Sequence, residues 1–196
     1  MTLRLRLIRA AGAVGATATI AACSAHPATS PGTPSRGASA SPVTRTTGRV
    51  TAVIDGDTVR VLVRGHEHSV RLIGLNAPEI PHPRYGKSTG QCGGQAARRY
   101  ADQLLYGKTV VLTTDPREAA TDRYGRWLRY VTVDGTDAGL DLLKAGHAME
   151  YHPRSSQAEQ RRAHYVAAQT TAQRQRVGQW VTCRVDQVTK AAPGHG

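Results

Sequence analysis

Two carboxylates stand two residues apart in the sequence Asp55-Gly56-Asp57-Thr58. At a strand junction such a pair can face the same side of the chain, and Gly56 allows the backbone between them to turn tightly. Carboxylate oxygens are the ligands that a hard divalent cation such as Ca²⁺ prefers. The tetrapeptide therefore predicts a cation site or an ordinary acidic hairpin turn, and on its own it favours the turn.

A second group of polar residues lies in the run Arg71-Leu72-Ile73-Gly74-Leu75-Asn76-Ala77-Pro78-Glu79. The guanidinium group of Arg71 can hold a phosphate through two parallel hydrogen bonds. Asn76 can offer a carbonyl oxygen to a metal, and Glu79, just beyond a rigid proline, can take a proton from water. The alternative is a strand end with ordinary polar capping.

The third group is Thr121-Asp122-Arg123-Tyr124-Gly125-Arg126, in which Arg126 ends a loop directly before a strand. Taken alone, this group also fits a solvated hairpin. His66 and His68 share one side of a strand, but no second pair at metal-binding spacing accompanies them. We therefore interpret these two histidines as exposed residues rather than as a zinc site.

The first group lies between two predicted strands, and the second group begins within a third strand. Turn residues separate three runs that favour strands, and apolar and polar residues alternate in the second run, which together predict three antiparallel strands. These strands are Gly48 to Ile54, Thr58 to Val63, and Ser69 to Leu75, the last beginning after a turn at Gly65-His66. A helix over Gln95 to Tyr106 follows, and Gly107 ends it.

The second half of the chain predicts two more strands and two more helices. The strands are Lys108 to Thr114 and Trp127 to Val133, and a short helix ends at Gly146. The spacing of Ser156 and Glu159 is that of a capping box, so a long helix is expected from there to about Val177. This order of elements is compatible with a small five-stranded barrel that carries three helices.

Taken together and in this order, the motifs resemble the staphylococcal (micrococcal) nuclease family, also called thermonucleases. The resemblance covers about Gly48 to Cys183 and includes a final motif, Gly178-Gln179-Trp180. Members of this family have an OB-fold barrel with three helices and hydrolyse DNA and RNA with Ca²⁺. The resemblance therefore implies an α+β fold, mainly β, with a five-stranded OB-fold barrel.

The resemblance also implies the ligands of one Ca²⁺ ion. Asp57, Asn76 and the backbone carbonyl of Ala77 would hold the cation, Asp55 would shape the acidic pocket, and Thr58 would lie close by. The position of Asn76 is an aspartate in the best-known member of the family. The amide oxygen can still coordinate Ca²⁺, but one negative charge is lost, so we expect weaker calcium binding.

The catalytic roles are likewise implied by the resemblance. Glu79 would activate or orient the attacking water. Arg71 and Arg126 would hold the phosphate and stabilise the negative charge that develops at phosphorus. Tyr124 would lie against the bound nucleotide.

The net charge of the chain agrees with a polyanionic partner. Lys and Arg number 26 against 14 Asp and Glu, a formal charge of +12. Six arginines precede the first acid, Asp55, which leaves +6 for the rest of the chain. Such a surplus is typical of proteins that bind nucleic acid or an anionic membrane surface.

The N-terminal residues have the composition of an export signal. Residues 1–22 combine three arginines and no acid with a weakly apolar run, which is too short to span a bilayer. The run meets Ile20-Ala21-Ala22-Cys23, which resembles the bacterial lipobox, so Cys23 is predicted to carry a lipid anchor. The alternative is a plain signal peptide, cleaved among these small residues.

Residues 23–47 predict a disordered tether. Of the 24 residues from Ser24 to Thr47, 20 are Ser, Thr, Ala, Pro or Gly, and such a segment buries too little surface to offset its ordering entropy. The tether would connect the signal segment to a domain over residues 48–183, with residues 184–196 as a C-terminal tail.

Two further cysteines lie in the predicted domain. If Cys23 is lipidated, Cys92 and Cys183 remain as a pair, and a pair in a small exported domain most often forms a disulfide. The alternative is two free thiols.

We therefore expect an exported, membrane-anchored or secreted, Ca²⁺-dependent endonuclease that cuts DNA and RNA with low sequence specificity. By the same resemblance it would leave 3′-phosphate and 5′-hydroxyl ends. Its partners would be nucleic acids and, through the lipid, a membrane, and no protein partner is implied. The alternative is a non-catalytic OB-fold protein of the cell surface that binds nucleic acid without cutting it.

Overall fold

Three antiparallel strands open the fold in the computed structural model, which describes residues 42–83, 89–153 and 159–187. They are β1 (Arg45–Val53), β2 (Thr58–Val63) and β3 (His66–Leu72). Because β1 begins at Arg45, residues 45–47, which the composition assigned to the tether, lie in the first strand.

The third strand lies earlier in the chain than the predicted Ser69 to Leu75. Arg64 and Gly65 both have positive φ angles, 49° and 84°, and together they form the two-residue turn between β2 and β3. Positive φ at both central residues suits the twist of a tight hairpin. The turn is therefore at Arg64-Gly65 rather than at Gly65-His66, and β3 begins directly at His66.

The remaining elements alternate between short strands and helices. In chain order they are β4 (Leu75–Asn76), α1 (Gly94–Leu105), β5 (Thr109–Thr113), β6 (Trp127–Val133), β7 (Thr136–Asp137), α2 (Ala138–Lys144), β8 (Met149–Glu150), α3 (Arg162–Gln175) and α4 (Gln179–Thr182). The bounds of α1, β5 and β6 agree closely with those that the sequence predicts.

Five of the strands close into a barrel. The antiparallel order is β3-β2-β1-β5-β6, and a parallel pairing of β3 with β6 joins the two ends. β7 extends the sheet beyond β6, and β4 pairs separately with β8. A closed five-stranded mixed barrel with helices is an OB-fold, so the predicted fold class is confirmed.

The core fills the barrel and the space beneath the helices. In β2, buried valines alternate with exposed residues, which is the pattern that predicted this strand. Helix side chains such as Leu105, Leu142 and Tyr165 pack onto the same core and are 0 to 1% exposed. Among the described residues, no helix is long and apolar enough to cross a bilayer.

The predicted start of the last long helix is wrong. Ser156 lies outside the described residues, and α3 begins only at Arg162, with Arg161 at the N-cap and no side-chain cap. The carboxylate of Glu159 does not cap a helix; it is 3% exposed and lies 2.9 Å from Nδ1 of His152. Asp115 accepts a hydrogen bond from the backbone N–H of Gln160, which holds this segment outside the helix.

Candidate active site

The turn between β1 and β2 presents Asp57 to the start of the segment after β4. Its Oδ2 atom accepts a hydrogen bond of 2.6 Å from the backbone N–H of Ala77, and its Oδ1 accepts one of 3.1 Å from the hydroxyl of Thr58. Gly56 permits this approach, because a Cβ atom there would lie 2.6 Å from the Cβ of Ala77. The first two motifs are therefore in direct contact, through the Asp57 side chain and the backbone of Ala77.

Arg71 lies across the β2–β3 ladder from Thr58 and reaches the same turn. Its Nη1 forms an ion pair with Oδ2 of Asp57, and its Nη2 donates a hydrogen bond of 2.8 Å to Oδ1 of Asn76. The guanidinium group therefore contacts two of the predicted metal ligands. A positive charge at this place offsets the cost of burying the Asp57 carboxylate.

The predicted calcium ligands form a set of hard oxygen donors. Asn76, in β4, is 8% exposed, and its amide nitrogen donates to the carbonyl of Ala77 at 3.3 Å. Hydrogen bonds to the Ala77 backbone thus join the Asp57 carboxylate and the Asn76 side chain. Oxygen donors of these three kinds fit Ca²⁺ rather than a softer metal.

A second carboxylate, Asp55, lies beside Asp57 in the turn, and its Oδ1 accepts a hydrogen bond from the Asp57 backbone N–H. Burial, reinforced by the charge of Asp57, raises the pKa of Asp55 from 3.8 to about 7. Possible ligand atoms of Asp55, Glu79 and His82 all lie within 4.8 Å of one another. Glu79 therefore lies beside Asp55 in the site, together with His82, which the sequence analysis did not identify.

Asp122 organises the loop that carries Arg126. Its Oδ1 accepts hydrogen bonds from the backbone N–H groups of Tyr124 and Arg126, and its Oδ2 accepts one of 2.7 Å from Nε of Arg126. Burial alone would raise the pKa of Asp122, but the hydrogen bonds from Arg126 and Tyr124 lower it below its usual value. Asp122 therefore stays ionised and fixes the direction of the Arg126 side chain.

Tyr124 is an exposed aromatic residue of this loop, with 67% of its surface open to solvent. The guanidinium carbons of Arg123 and Arg126 lie 4.8 and 5.4 Å from its ring centre. An exposed ring between two cations is suited to contact a nucleotide by stacking and charge.

A single cleft of about 400 Å³ joins the three motifs. Side chains from the β1–β2 turn, from β3 and β4, and from the loop before β6 line this cleft. The predicted site residues among them are Asp55, Asp57, Arg71, Asn76, Glu79, Tyr124 and Arg126. Residues far apart in the sequence thus face one concave surface.

Other residues of the cleft were not found from the sequence. Tyr151, Glu118 and Glu159 line it, and ligand atoms of Glu118, His152 and Glu159 lie within 4.8 Å of one another. These residues belong to loops with no shared motif, so only the fold brings them together. The signal that pointed to Glu159, its capping-box spacing, indicated a different role.

The remaining predicted residues lie away from this cleft or outside the described residues. Cys92 and Cys183 form a disulfide, with their Cα atoms 5.8 Å apart. His68 was expected to be exposed, but it is half-buried and stacks on Trp127 with ring centres 3.8 Å apart. Cys23 lies outside the described residues.

Oxygen donors suited to a cation, two guanidinium groups and a carboxylate line one cleft of the OB-fold, an arrangement that is suited to phosphodiester cleavage. The model of the family "Staphylococcal nuclease homologue" matches residues 69–182, more than half of the chain. The chain therefore belongs to the staphylococcal nuclease family, and nuclease activity is the activity of its class.

Two of the three curated relatives described here are named endonucleases. The chain is 30% identical over 150 residues to the uncharacterized protein MJ1439 of Methanocaldococcus jannaschii, covering 68% of this chain and 70% of the relative. It is 31% identical over 137 residues to an uncharacterized endonuclease of Haemophilus influenzae, and the match covers 69% of this chain and 67% of that protein. It is 36% identical over 95 residues to endonuclease YncB of Bacillus subtilis, covering 48% of this chain and only 43% of that protein.

Proposed function

We propose that this protein is a Ca²⁺-dependent endonuclease that hydrolyses phosphodiester bonds of DNA and RNA with low sequence specificity. The observation that carries the proposal is the single cleft, which brings together Asp57, Asn76, Glu79, Arg71 and Arg126. These groups recognise the backbone phosphate, which is the same at every nucleotide. Low sequence preference is therefore expected.

Each residue has a defined part in the reaction. Asp57, Asn76 and the Ala77 carbonyl would hold Ca²⁺, with Asp55 shaping the acidic pocket, and the bound ion would supply positive charge that stabilises the reacting phosphate. Glu79 accepts a proton from the attacking water, whose oxygen bonds to phosphorus. The bond from phosphorus to the 5′ oxygen breaks and this oxygen takes up a proton from solvent water, which leaves a 3′-phosphate and a 5′-hydroxyl end.

The two arginines stabilise the transition state from different elements of the fold. Arg71 belongs to β3, while Arg126 is held by Asp122 at the end of the loop before β6. Two planar guanidinium groups fixed before the reaction offer hydrogen bonds where negative charge increases. The exposed ring of Tyr124 supports a nucleotide next to the phosphate.

We further propose that the enzyme acts outside the cytoplasm, held at a membrane through a lipid on Cys23. The export-like composition of residues 1–22 and the lipobox-like Cys23 support this proposal. The disulfide between Cys92 and Cys183 also agrees with an oxidising compartment. Mass spectrometry of the protein from the membrane fraction would detect the added lipid, and a membrane-free protein with an unmodified Cys23 would contradict the anchor.

The direct experiment measures cleavage of purified DNA and RNA with Ca²⁺ and then with excess chelator. We expect both polymers to be cut with Ca²⁺ and neither with chelator. Binding to an oligonucleotide without any cleavage would instead favour the non-catalytic OB-fold protein.

A further inference from the structure

The backbone of Glu79 is held by one residue that the sequence motifs do not include. The backbone N–H of Glu79 donates a hydrogen bond of 2.8 Å to Oε1 of Gln91. The carbonyl oxygen of Glu79 accepts another, also of 2.8 Å, from the backbone N–H of Gln91. Gln91 thus satisfies both backbone groups of Glu79, as a neighbouring strand would.

Gln91 is itself fixed from its C-terminal side. Cys92, the next residue, is bonded to Cys183, and the backbone N–H of Gly94 donates to the Gln91 carbonyl at 3.1 Å. Gly94 packs directly on the Glu79 backbone, since a Cβ atom there would overlap the Glu79 carbonyl oxygen. The start of α1 therefore supports the Glu79 segment at close range.

We propose that Gln91 is a positioning residue that holds the Glu79 carboxylate in the cleft. This inference rests on the proposed nuclease function, in which Glu79 acts on the attacking water. Glu79 follows Pro78 and lies in a segment outside the strands and helices, so the hydrogen bonds from Gln91 replace the support that a ladder would give. A small displacement of a catalytic group costs rate much more than it costs substrate binding.

The two arginines and Glu79 are held by different residues, so a positioning role for Gln91 predicts a specific change in the kinetic constants. Arg71 and Arg126 are held by Asp57, Asn76 and Asp122, which belong to the β1–β2 turn, to β4 and to the loop before β6 rather than to the Gln91 segment. Loss of the Gln91 acceptor should therefore lower kcat while KM stays nearly constant. A general loss of structure would instead lower the melting temperature and change both constants.

The test compares Gln91→Met, which removes the acceptor at similar length, with Gln91→Glu, which keeps an acceptor oxygen. Gln95→Met is the matched control, because Gln95 is an exposed glutamine in the first turn of α1. For each protein, kcat and KM are measured on a short DNA with Ca²⁺. Hydrogen exchange of the Glu79 amide is measured by NMR, without any substrate.

We expect Gln91→Met to lower kcat by about tenfold with little change in KM, and to speed exchange of the Glu79 amide by about tenfold. Gln91→Glu should restore most of the amide protection and part of kcat, and Gln95→Met should match the wild type. Unchanged exchange in Gln91→Met, or an equal loss of kcat in Gln95→Met, would overturn the positioning role. A wild-type protein that cleaves neither DNA nor RNA would refute the nuclease function, and with it the catalytic purpose of this support.

Discussion

Arg71 and Asp57 form an ion pair at the base of the cleft, with their side chains only 13% and 6% exposed. Oδ2 of Asp57, the oxygen that forms this ion pair, also accepts a hydrogen bond from the backbone N–H of Ala77. Burying a carboxylate this deeply is costly, and the adjacent cation and hydrogen-bond donors offset that cost. The pair therefore joins the predicted cation site to the predicted phosphate site.

Calcium affinity should depend on the charge carried at positions 57 and 76. Ca²⁺ binding is tuned by the number of charged ligands, so the wild type should bind in the range of extracellular sites, roughly 10⁻⁴–10⁻³ M. Asn76→Asp adds a carboxylate and should tighten binding, even though Arg71, which donates to Asn76 at 2.8 Å, shields part of the new charge. Asp57→Asn should remove most of the affinity. Calorimetric titration of the three proteins measures this, and unchanged affinity in Asn76→Asp would mean that this side chain is not a ligand.

The orientation of Arg126 should depend on Asp122. Arg126→Ala removes one transition-state contact and should lower turnover by at least ~10²-fold. Asp122→Asn leaves the guanidinium group in place but weakens the hydrogen bond that aims its Nε, so we expect a smaller loss of about tenfold. Steady-state hydrolysis of a DNA oligonucleotide measures both. Arg174→Ala, an exposed arginine of α3, is the control, and equal activity in Asp122→Asn and the wild type would refute the orienting role.

Stability without divalent cations should depend on pH through Asp55. Burial and the charge of Asp57 raise the pKa of this carboxyl to about 7, so the folded state binds its proton more tightly than the unfolded chain does. The contribution of Asp55 to stability is therefore present below its ordinary pKa of 3.8 and is lost as the pH rises through about 7. The free energy of unfolding of the wild type minus that of Asp55→Asn should fall across this range.

The difference between the two proteins isolates Asp55 from other titrating groups. Burial, together with the charge of Arg99, lowers the pKa of His147, which gives stability that increases with pH. That opposite slope is common to both proteins and cancels in the subtraction. Urea unfolding at several pH values, with chelator present, gives the two curves. A difference that is constant over this range would show that Asp55 gains no proton on folding.

The disulfide should contribute strongly to stability. It links residues separated by 91 positions, and closing a loop of this size stabilises by roughly 4–5 kcal/mol in the chain-entropy model. The variant with both Cys92→Ser and Cys183→Ser should therefore unfold at a much lower urea concentration, whereas Cys23→Ser should not change the midpoint. Thiol counting on the denatured, unreduced wild type should find no thiol from the pair; two reactive thiols there would exclude the bridge.

Much of the barrel could be predicted because its strands are short and are separated by turn residues, and because buried and exposed residues alternate in β2. The strand β6 has the predicted bounds, Trp127 to Val133. The turn lies at Arg64-Gly65, one residue earlier than the predicted Gly65-His66. This shift was not predicted, because no sequence pattern indicates that a residue other than glycine has a positive φ angle. The pairing of β4 with β8 was missed for a related reason, since each strand has only two residues.

The candidate site could be predicted only where its residues lie in compact motifs. Asp55 and Asp57, or Asp122 and Arg126, are close in sequence and keep their relation in the fold. Gln91 and Tyr151 reach the site through long-range packing, and no local pattern distinguishes them from other polar residues. Glu159 shows the opposite case, because its spacing from Ser156 is that of a helix cap while its carboxylate meets His152.

The most direct test of the central claim, that this cleft is the active site, is to measure DNA hydrolysis by the Glu79→Gln variant. The Glu67→Gln variant is the matched control. Both changes remove one carboxylate charge, but Glu79 lines the cleft while Glu67 lies on β3 in an exposed ion pair with Arg60. With saturating Ca²⁺ and a labelled DNA oligonucleotide, we predict that Glu79→Gln lowers kcat by at least ~10²-fold and that Glu67→Gln cleaves like the wild type. Near-normal turnover by a folded Glu79→Gln protein would contradict the assignment of this cleft as the active site.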